Sequence, residues 1–263
     1  MIKPSCEDTV VIRKRKLNDE YFSLTFGPYS RARHCRPGHF IHLKLPCSDI
    51  YFRRAMSVTS TDVESDRLEI IFKVFGRGTR HMSHLCKGDP VNILGPLGGP
   101  FAVPSKRERV LMVAGGIGFP PLLFLAHELI AKGYDPKRID FFYGGRSASD
   151  LIERSRIKRL GVNFHPATDD GSFGDKGLVT EHAERFIKAD GGKLRIYSCG
   201  PEPMLKAVDE LGMKYSVPGQ LSLEAPMPCG IGICLGCVVP LRKGGHARVC
   251  VEGPIFEIGE VLL

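Results

Sequence analysis

Tryptophan is absent from the 263 residues, and no aromatic-rich basic stripe accompanies the formal charge of +8. Nucleic acid, which needs stacking surfaces beside its cations, is therefore not the expected partner. The basic runs RKRK (13–16) and ERSRIKRL (153–160) could touch phosphate, but a solvated basic face explains each more simply. An unbroken apolar run is missing too. The longest candidate, VLMVAGGIGFPPLLFLAHELIA (110–131), is interrupted by Gly115, Gly116, Gly118 and the Pro120–Pro121 pair. It reads as strand, glycine turn and helix, not as a membrane span. The opening MIKPSCEDTVVIRKRK has no apolar stretch behind its charges, so a secretory leader is not expected and a cytoplasmic protein is. Cysteine is sparse except in one place, and its total of nine is odd. That argues for reduced thiols and against a disulfide framework.

What is present falls into three parts. Residues 1–103 carry short β-branched or aromatic segments separated by turn residues: TVVIRKRKL, YFSLTFG, HFIHLKL, AMSVTST and RLEIIFKVF. This spacing predicts an antiparallel β-barrel or sandwich. Over 104–218 the rhythm becomes strand and helix in alternation, from RVLMVAGG and PPLLFLAHELIAKG through DLIERSRIKRLG to LRIYSCG and PEPMLKAVDELGM. Such alternation predicts a doubly wound parallel α/β sheet. Residues 219–263 are too few and too glycine-rich to bury a core alone, so they are expected to form a small domain with a staple.

The staple is legible. Cys229, Cys234, Cys237 and Cys250 form C-x4-C-x2-C-x12-C. The first three have the plant-type spacing of a [2Fe–2S] cluster. Gly230, Gly232 and Gly236 allow the backbone to coil around such a centre. CVVPL, the turn RKGGH and ARVC should make a hairpin that returns Cys250. Structural zinc also takes four cysteines but favours two C-x2-C pairs, and only one is here. Cys6, Cys35, Cys47, Cys86 and Cys199 are scattered and read as structural. A cluster moves one electron at a time, so something else in the chain should load it.

The ordered fingerprint G-x-G-x-x-G is lacking; Gly115, Gly116 and Gly118 stand instead in G-G-x-G-x-x-P at a strand-to-helix junction. Free amides there suit a pyrophosphate, and a tight turn is the bland alternative. YGGRSASDL and YSCGPEPML offer glycine and polar groups at two further strand ends, where open sheets bind ligands. Cys199 and Gly200 would lie near a nicotinamide ring, with Cys199 not catalytic and no other catalytic residue singled out. A two-to-one electron converter is then required, usually flavin. Arg54-Ala55-Met56-Ser57 places a cation and a hydroxyl on one strand, where they could grip a diphosphate; solvated strand residues would look the same. His81 and His84 read as an ordinary pair, His39 and His42 as lying on alternate faces, and Asp169-Asp170 as part of a capping loop.

With these segments in order, the whole chain resembles the ferredoxin–NADP reductase superfamily. Within it, the chain resembles the electron-transfer subunits of heteromeric (type B) dihydroorotate dehydrogenases. The resemblance rests on Arg54–Ser57, on Ile71, Phe72 and Lys73 with Gly78 and Thr79, on GPLGGPF (95–101), AGGIGFPPL, TDDGSFGDKGLV (168–179) and YSCGPEPML, and on the C-terminal cysteines. It implies that Arg54, Ala55, Met56, Ser57, Ile71, Phe72, Lys73, Gly78 and Thr79 bind FAD. Gly115, Gly116, Gly118, Cys199 and Gly200 would bind NAD(H), and the four clustered cysteines a [2Fe–2S] centre. It also implies a partner, an FMN-containing catalytic subunit of pyrimidine biosynthesis, in a heterotetramer of two subunits of each kind. Ala55 departs from the proline or tyrosine frequent in relatives. The basic helix after YGGR leaves Arg154 and Arg156 available to a 2′-phosphate. Related reductase subunits of sulfide dehydrogenases, hydrogenases or ferredoxin–NADP transhydrogenases are the alternative, though some of these replace the first cysteine. A non-enzymatic iron–sulfur redox sensor would carry no flavin.

Overall fold

The structure, a computed structural model, describes residues 4–46 and 49–263; Cys47 lies outside them. Strands β1 (Ser5–Lys16), β2 (Tyr21–Gly27), β3 (Phe40–Lys44), β4 (Arg54–Ser57), β5 (Ser60–Asp62), β6 (Arg67–Lys73) and β7 (Pro90–Leu97) form one antiparallel sheet. Helix α1 (Arg77–His84) lies between the last two. The order is β4-β3-β7-β1-β2-β6-β5, and β4 comes back against β6, which curls the sheet into a half-barrel. Period-two alternation decides its interior. Leu24 and Phe26, Ile41 and Leu43, and Leu68 and Ile70 each send two side chains to one face, and all six are fully buried. Residues between them, including His42, face the other side.

The second sheet has the expected βα rhythm. It comprises β8 (Arg109–Gly115), β9 (Ile139–Gly145), β10 (Asn163–Thr168), β11 (Asp175–Lys176), β12 (Leu194–Cys199) and β13 (Gly219–Ser222), all parallel. Helices α2 (Phe119–Ala131), α3 (Arg154–Arg159), α4 (Val179–Ala189) and α5 (Glu202–Lys214) cross between strands. Pro120 and Pro121 sit in the first turn of α2, where missing amide donors cost nothing. The strand order β11-β10-β9-β8-β12-β13 reverses direction between β8 and β12. Carboxyl ends on either side of that reversal leave a crevice.

One expectation is revised. The helix read over DLIERSRIKRLG spans only Arg154–Arg159, because Asp150 is held in the preceding loop: its carboxylate accepts from the Arg146 amide at 3.2 Å and its carbonyl from the Tyr143 hydroxyl at 3.1 Å. The tail, expected to be too small to bury a core alone, shares one with the nucleotide domain. β13 pairs with β12, and after the hairpin of β14 (Val238–Pro240) and β15 (His246–Arg248), β16 (Ile255–Glu257) adds an antiparallel edge to the same sheet. The nucleotide sheet thus continues on both sides of the cluster loop, whose Val249, Cys237 and Cys250 share a core with Leu221 and Phe256.

Candidate flavin, nicotinamide and cluster sites

Three neighbouring features line up along the seam between the sheets. The first is a cavity of about 480 Å³ at the crevice, walled by Gly115–Gly118 of the turn after β8, Gly144–Arg146 after β9, Asp169 after β10 and Gly200–Pro201 after β12. The glycines divide the labour. A Cβ on Gly118 would stand 2.2 Å from the Cys199 carbonyl oxygen, and one on Gly200 would stand 3.0 Å from the Gly115 amide nitrogen. These two let the turns of β8 and β12 touch backbone to backbone. Gly116 faces open space at φ +51°, a conformation glycine takes without penalty. The Cys199 thiol, expected near the nicotinamide, does not line this cavity: it is packed in the core with Phe119 and Tyr197, and burial drives its pKa up, so it is a neutral packing group.

The second cavity, about 170 Å³, lies between the half-barrel and the crevice. Phe40, Ala55, Met56, Ser57, Ile71 and Phe72 line it from β3, β4 and β6, and Thr79 from α1. It continues over Arg54, Gly76, Gly78 and the Ala225–Pro228 segment. The Arg54 side chain runs across Gly78 so closely that a Cβ there would be 2.4 Å from Cδ. A guanidinium therefore lies at the amino end of α1, where free amides and the helix dipole already favour an anion. Thr79 fixes that end, its Oγ1 accepting from the Phe75 and Gly76 amides at 3.1 Å each.

Lys73, Ile117 and Glu224 line both cavities, so the two meet. Lys73 bonds Asp150 at 3.0 Å and Glu20 at 3.1 Å and sits 4.9 Å above the Tyr21 ring, while the Tyr21 hydroxyl donates to Asp150 at 2.8 Å. Burial alone would raise the Asp150 pKa; the lysine and tyrosine override it and hold the carboxyl at about 2. Glu224 is exposed at the junction yet ringed by protein, and lost hydration raises its pKa.

The third feature is the thiol loop. The Cys237 and Cys250 sulfurs are 3.3 Å apart and buried, and the Cys234 amide donates to Cys229 Sγ at 3.5 Å. Burial and its neighbour keep the Cys250 thiol protonated unless a cation is bound. Partial burial opposes ionisation of Cys229, but amides of Cys234, Ile231 and Ile233 bring its pKa down to about 6. Among the described residues no three ligand-type side chains converge on a single ion. Two cysteine pairs, with amides aimed at sulfur, fit a two-iron centre in which each metal takes two thiolates.

Comparison with known proteins agrees with this layout. An oxidoreductase FAD-binding domain model matches residues 9–101, an oxidoreductase NAD-binding domain model 112–210, and the iron-sulfur cluster binding domain of dihydroorotate dehydrogenase B residues 224–262. A dihydroorotate dehydrogenase B (NAD(+)) electron transfer subunit from Caldanaerobacter subterraneus subsp. tengcongensis is 38% identical over 256 residues, 96% of each chain. Its counterpart from Shouchella clausii is 37% identical over 263 residues, 97% of each. The chain belongs to this family of electron transfer subunits. Among solved structures, an NADH-dependent reduced ferredoxin-NADP oxidoreductase superposes with a TM-score of 0.85 at 28% identity, covering 97% of this chain and 89% of that one.

Of the residues expected at the flavin, Ala55, Met56, Ser57, Ile71, Phe72, Lys73 and Thr79 line the second cavity and Arg54 and Gly78 its continuation; of those expected at the nicotinamide, Gly115, Gly116, Gly118 and Gly200 line the first and Cys199 does not. Arg156 is not available to a 2′-phosphate: it bonds Glu69 at 2.7 Å and Ser60 at 3.1 Å, while Arg154 lies over the Phe173 ring at 4.1 Å. Sequence reasoning missed Tyr21, Asp150 and Glu224, which line the first cavity from three distant points of the chain. The only sequence signal for Glu224 was a lone carboxylate in SLEAP just ahead of the cysteines.

Proposed function

We infer that this chain passes electrons between a nicotinamide dinucleotide and the FMN of a separate dihydroorotate dehydrogenase catalytic subunit, using FAD and a [2Fe–2S] cluster. The observation that carries the reading is contiguity: two cavities share Lys73, Ile117 and Glu224, and the second runs through Ala225 and Met227 toward the thiol loop. When bound, the flavin exchanges two-electron for one-electron chemistry and the cluster carries single electrons. The chain's own residues do the rest. Arg54 and the amino end of α1 hold the diphosphate of FAD; Ala55, Met56, Ser57, Ile71, Phe72 and Thr79 flank its ring system. The glycine turn at 115–118 admits the dinucleotide's pyrophosphate, with Asp169 on the ribose side. Cys229, Cys234, Cys237 and Cys250 hold the irons.

The partner docks on the cluster loop. Ile231, Ile233, Leu235 and Val238 are exposed there, Ile233 at 76%, beside the exposed Cys234. An apolar patch around a redox centre is what an electron-accepting subunit would cover. A heterotetramer in the cytoplasm, where thiols stay reduced, completes the reading; no described helix is long and apolar enough to cross a membrane. The test is co-purification with the partner and assay of dihydroorotate-dependent NAD reduction. An FMN-bearing partner with that activity is expected; a partner without FMN and without the activity removes the assignment.

A further inference from the structure

His42 is fully buried, yet neither ring nitrogen has a hydrogen-bond partner among the described residues. A neutral imidazole carries one donor and one acceptor, and leaving either unmet in the interior costs its full desolvation. Neighbouring groups do not help. Arg53 reaches only the His42 carbonyl, at 3.3 Å, and Phe40 offers an apolar ring with its centroid 5.7 Å away.

Strand geometry fixes where the ring points. Ile41 and Leu43 fill the half-barrel, so His42 between them projects from the other face of β3. On that face it is paired with Ala55 of β4, a wall residue of the flavin cavity. Against the ring lies Gly230, next in sequence to Cys229. A Cβ at 230 would be 2.5 Å from Cε1, 2.8 Å from Nδ1 and 2.9 Å from Nε2. Gly230 also sits at φ +70°, so glycine is required twice over. The imidazole is thus wedged where the flavin strand meets the thiol loop.

The geometry points to His42 as a positioning residue of the iron–sulfur centre, its ring N–H donating to a sulfur of the cluster. This rests on the function proposed above. A hydrogen bond to sulfur stabilises the reduced, more negative state, so it raises the centre's potential. The same residue holds strand and loop together between the two redox sites.

The experiment uses the full chain, purified without air, with histidine labelled in nitrogen-15. Iron and labile sulfide in equal amounts, with an electron paramagnetic resonance signal on reduction, report the cluster itself. Their absence from the wild type overturns both this inference and the function. With the cluster present, hyperfine spectroscopy should reveal a weakly coupled histidine nitrogen that vanishes in His42→Phe. The reduction equilibrium of His42→Phe should shift against reduction by about tenfold, ~59 mV for one electron. His42→Gln, which keeps an N–H donor, should recover most of that shift. No histidine coupling in the wild type, or an unchanged potential in an iron-replete His42→Phe, overturns the inference while leaving the function intact. Should His42→Phe lose its iron, the labelled wild type and the loss of coupling in His42→Gln decide.

Discussion

Gly118 carries the tightest constraint in the nicotinamide crevice, because the atoms a side chain would strike are backbone atoms of Cys199 and Gly200. A flexible side chain could swing away; a carbonyl in β12 cannot. Gly118→Ala should therefore separate the two turns, lower stability by about 1–3 kcal/mol and raise the KM for NADH while leaving FAD content unchanged. Thermal melts together with ferricyanide reduction kinetics check both effects. Asp169 acts by charge instead. It lines the crevice at the end of β10, beside the turn that carries the 76% exposed Arg146 side chain. A carboxylate suits a ribose 2′-hydroxyl and repels a 2′-phosphate. Asp169→Ser should cut the ratio of kcat/KM for NADH over NADPH by about tenfold or more, the order of one charge-assisted hydrogen bond of about 1.5–3 kcal/mol. An unchanged ratio would place the ribose elsewhere.

At the scale of elements, α1 is the part of the flavin site that most depends on context. Its sequence RGTRHMSH has no apolar stripe, and its small buried residues Gly78, Thr79 and Ser83 leave room for the chain around it. Arg54 then lies along its first turn. Arg54→Ala should release FAD, with a rise in Kd of about tenfold or more from one lost charged contact of about 1.5–3 kcal/mol, while the fold persists. Flavin absorbance after gel filtration would show it, and full retention would move the diphosphate to another cation. The same context dependence separates what the sequence disclosed from what it hid. β2, β3 and β6 were legible because alternation is local, and the cysteine loop because its ligands are nearly consecutive. β7 was hidden by Pro90 at its start and the Gly95-Pro96 step within it. β13, half polar in GQLS, was hidden because Gln220 satisfies itself by tertiary bonds, to the Ala102 amide at 2.8 Å and to Glu257 at 2.7 Å. No window of sequence contains those partners.

Over the whole molecule, the two sheets are tied by charge. Glu69 on β6 meets Arg15 at 3.1 Å and Arg156 at 2.7 Å, and Arg15 reaches Glu153 at 3.0 Å, so half-barrel and α3 share one network. Lys73 and Asp150 close the seam nearer the cavities. The Asp150 pKa falls from an ordinary 3.8 to about 2 on folding. A depressed carboxyl stabilises above its unfolded value and loses that contribution as pH falls through the folded one. The urea midpoint of the wild type should therefore drop between about pH 4 and pH 2. Asp150→Asn should begin lower at neutral pH and lack that part of the fall; parallel curves for the two proteins would dismiss the clamp. The tail is anchored differently. β13 and β16 belong to the nucleotide sheet, and Phe256 and Val249 are buried with it, so protein packing should hold its position without metal. The exposed loop at 231–236 has no such packing and should depend on the metal. Stripping iron with a chelator, or making Cys234→Ser, should leave FAD bound and NADH-to-ferricyanide turnover within about twofold, since one centre's loss removes only the contacts made to it. Transfer to the FMN of the proposed partner should vanish, because the flavin cavity runs along Ala225–Pro228 toward the thiol loop. If chelation also released FAD, the tail would be a metal-built domain that props the flavin site, and the sheet anchorage would be too weak to hold it.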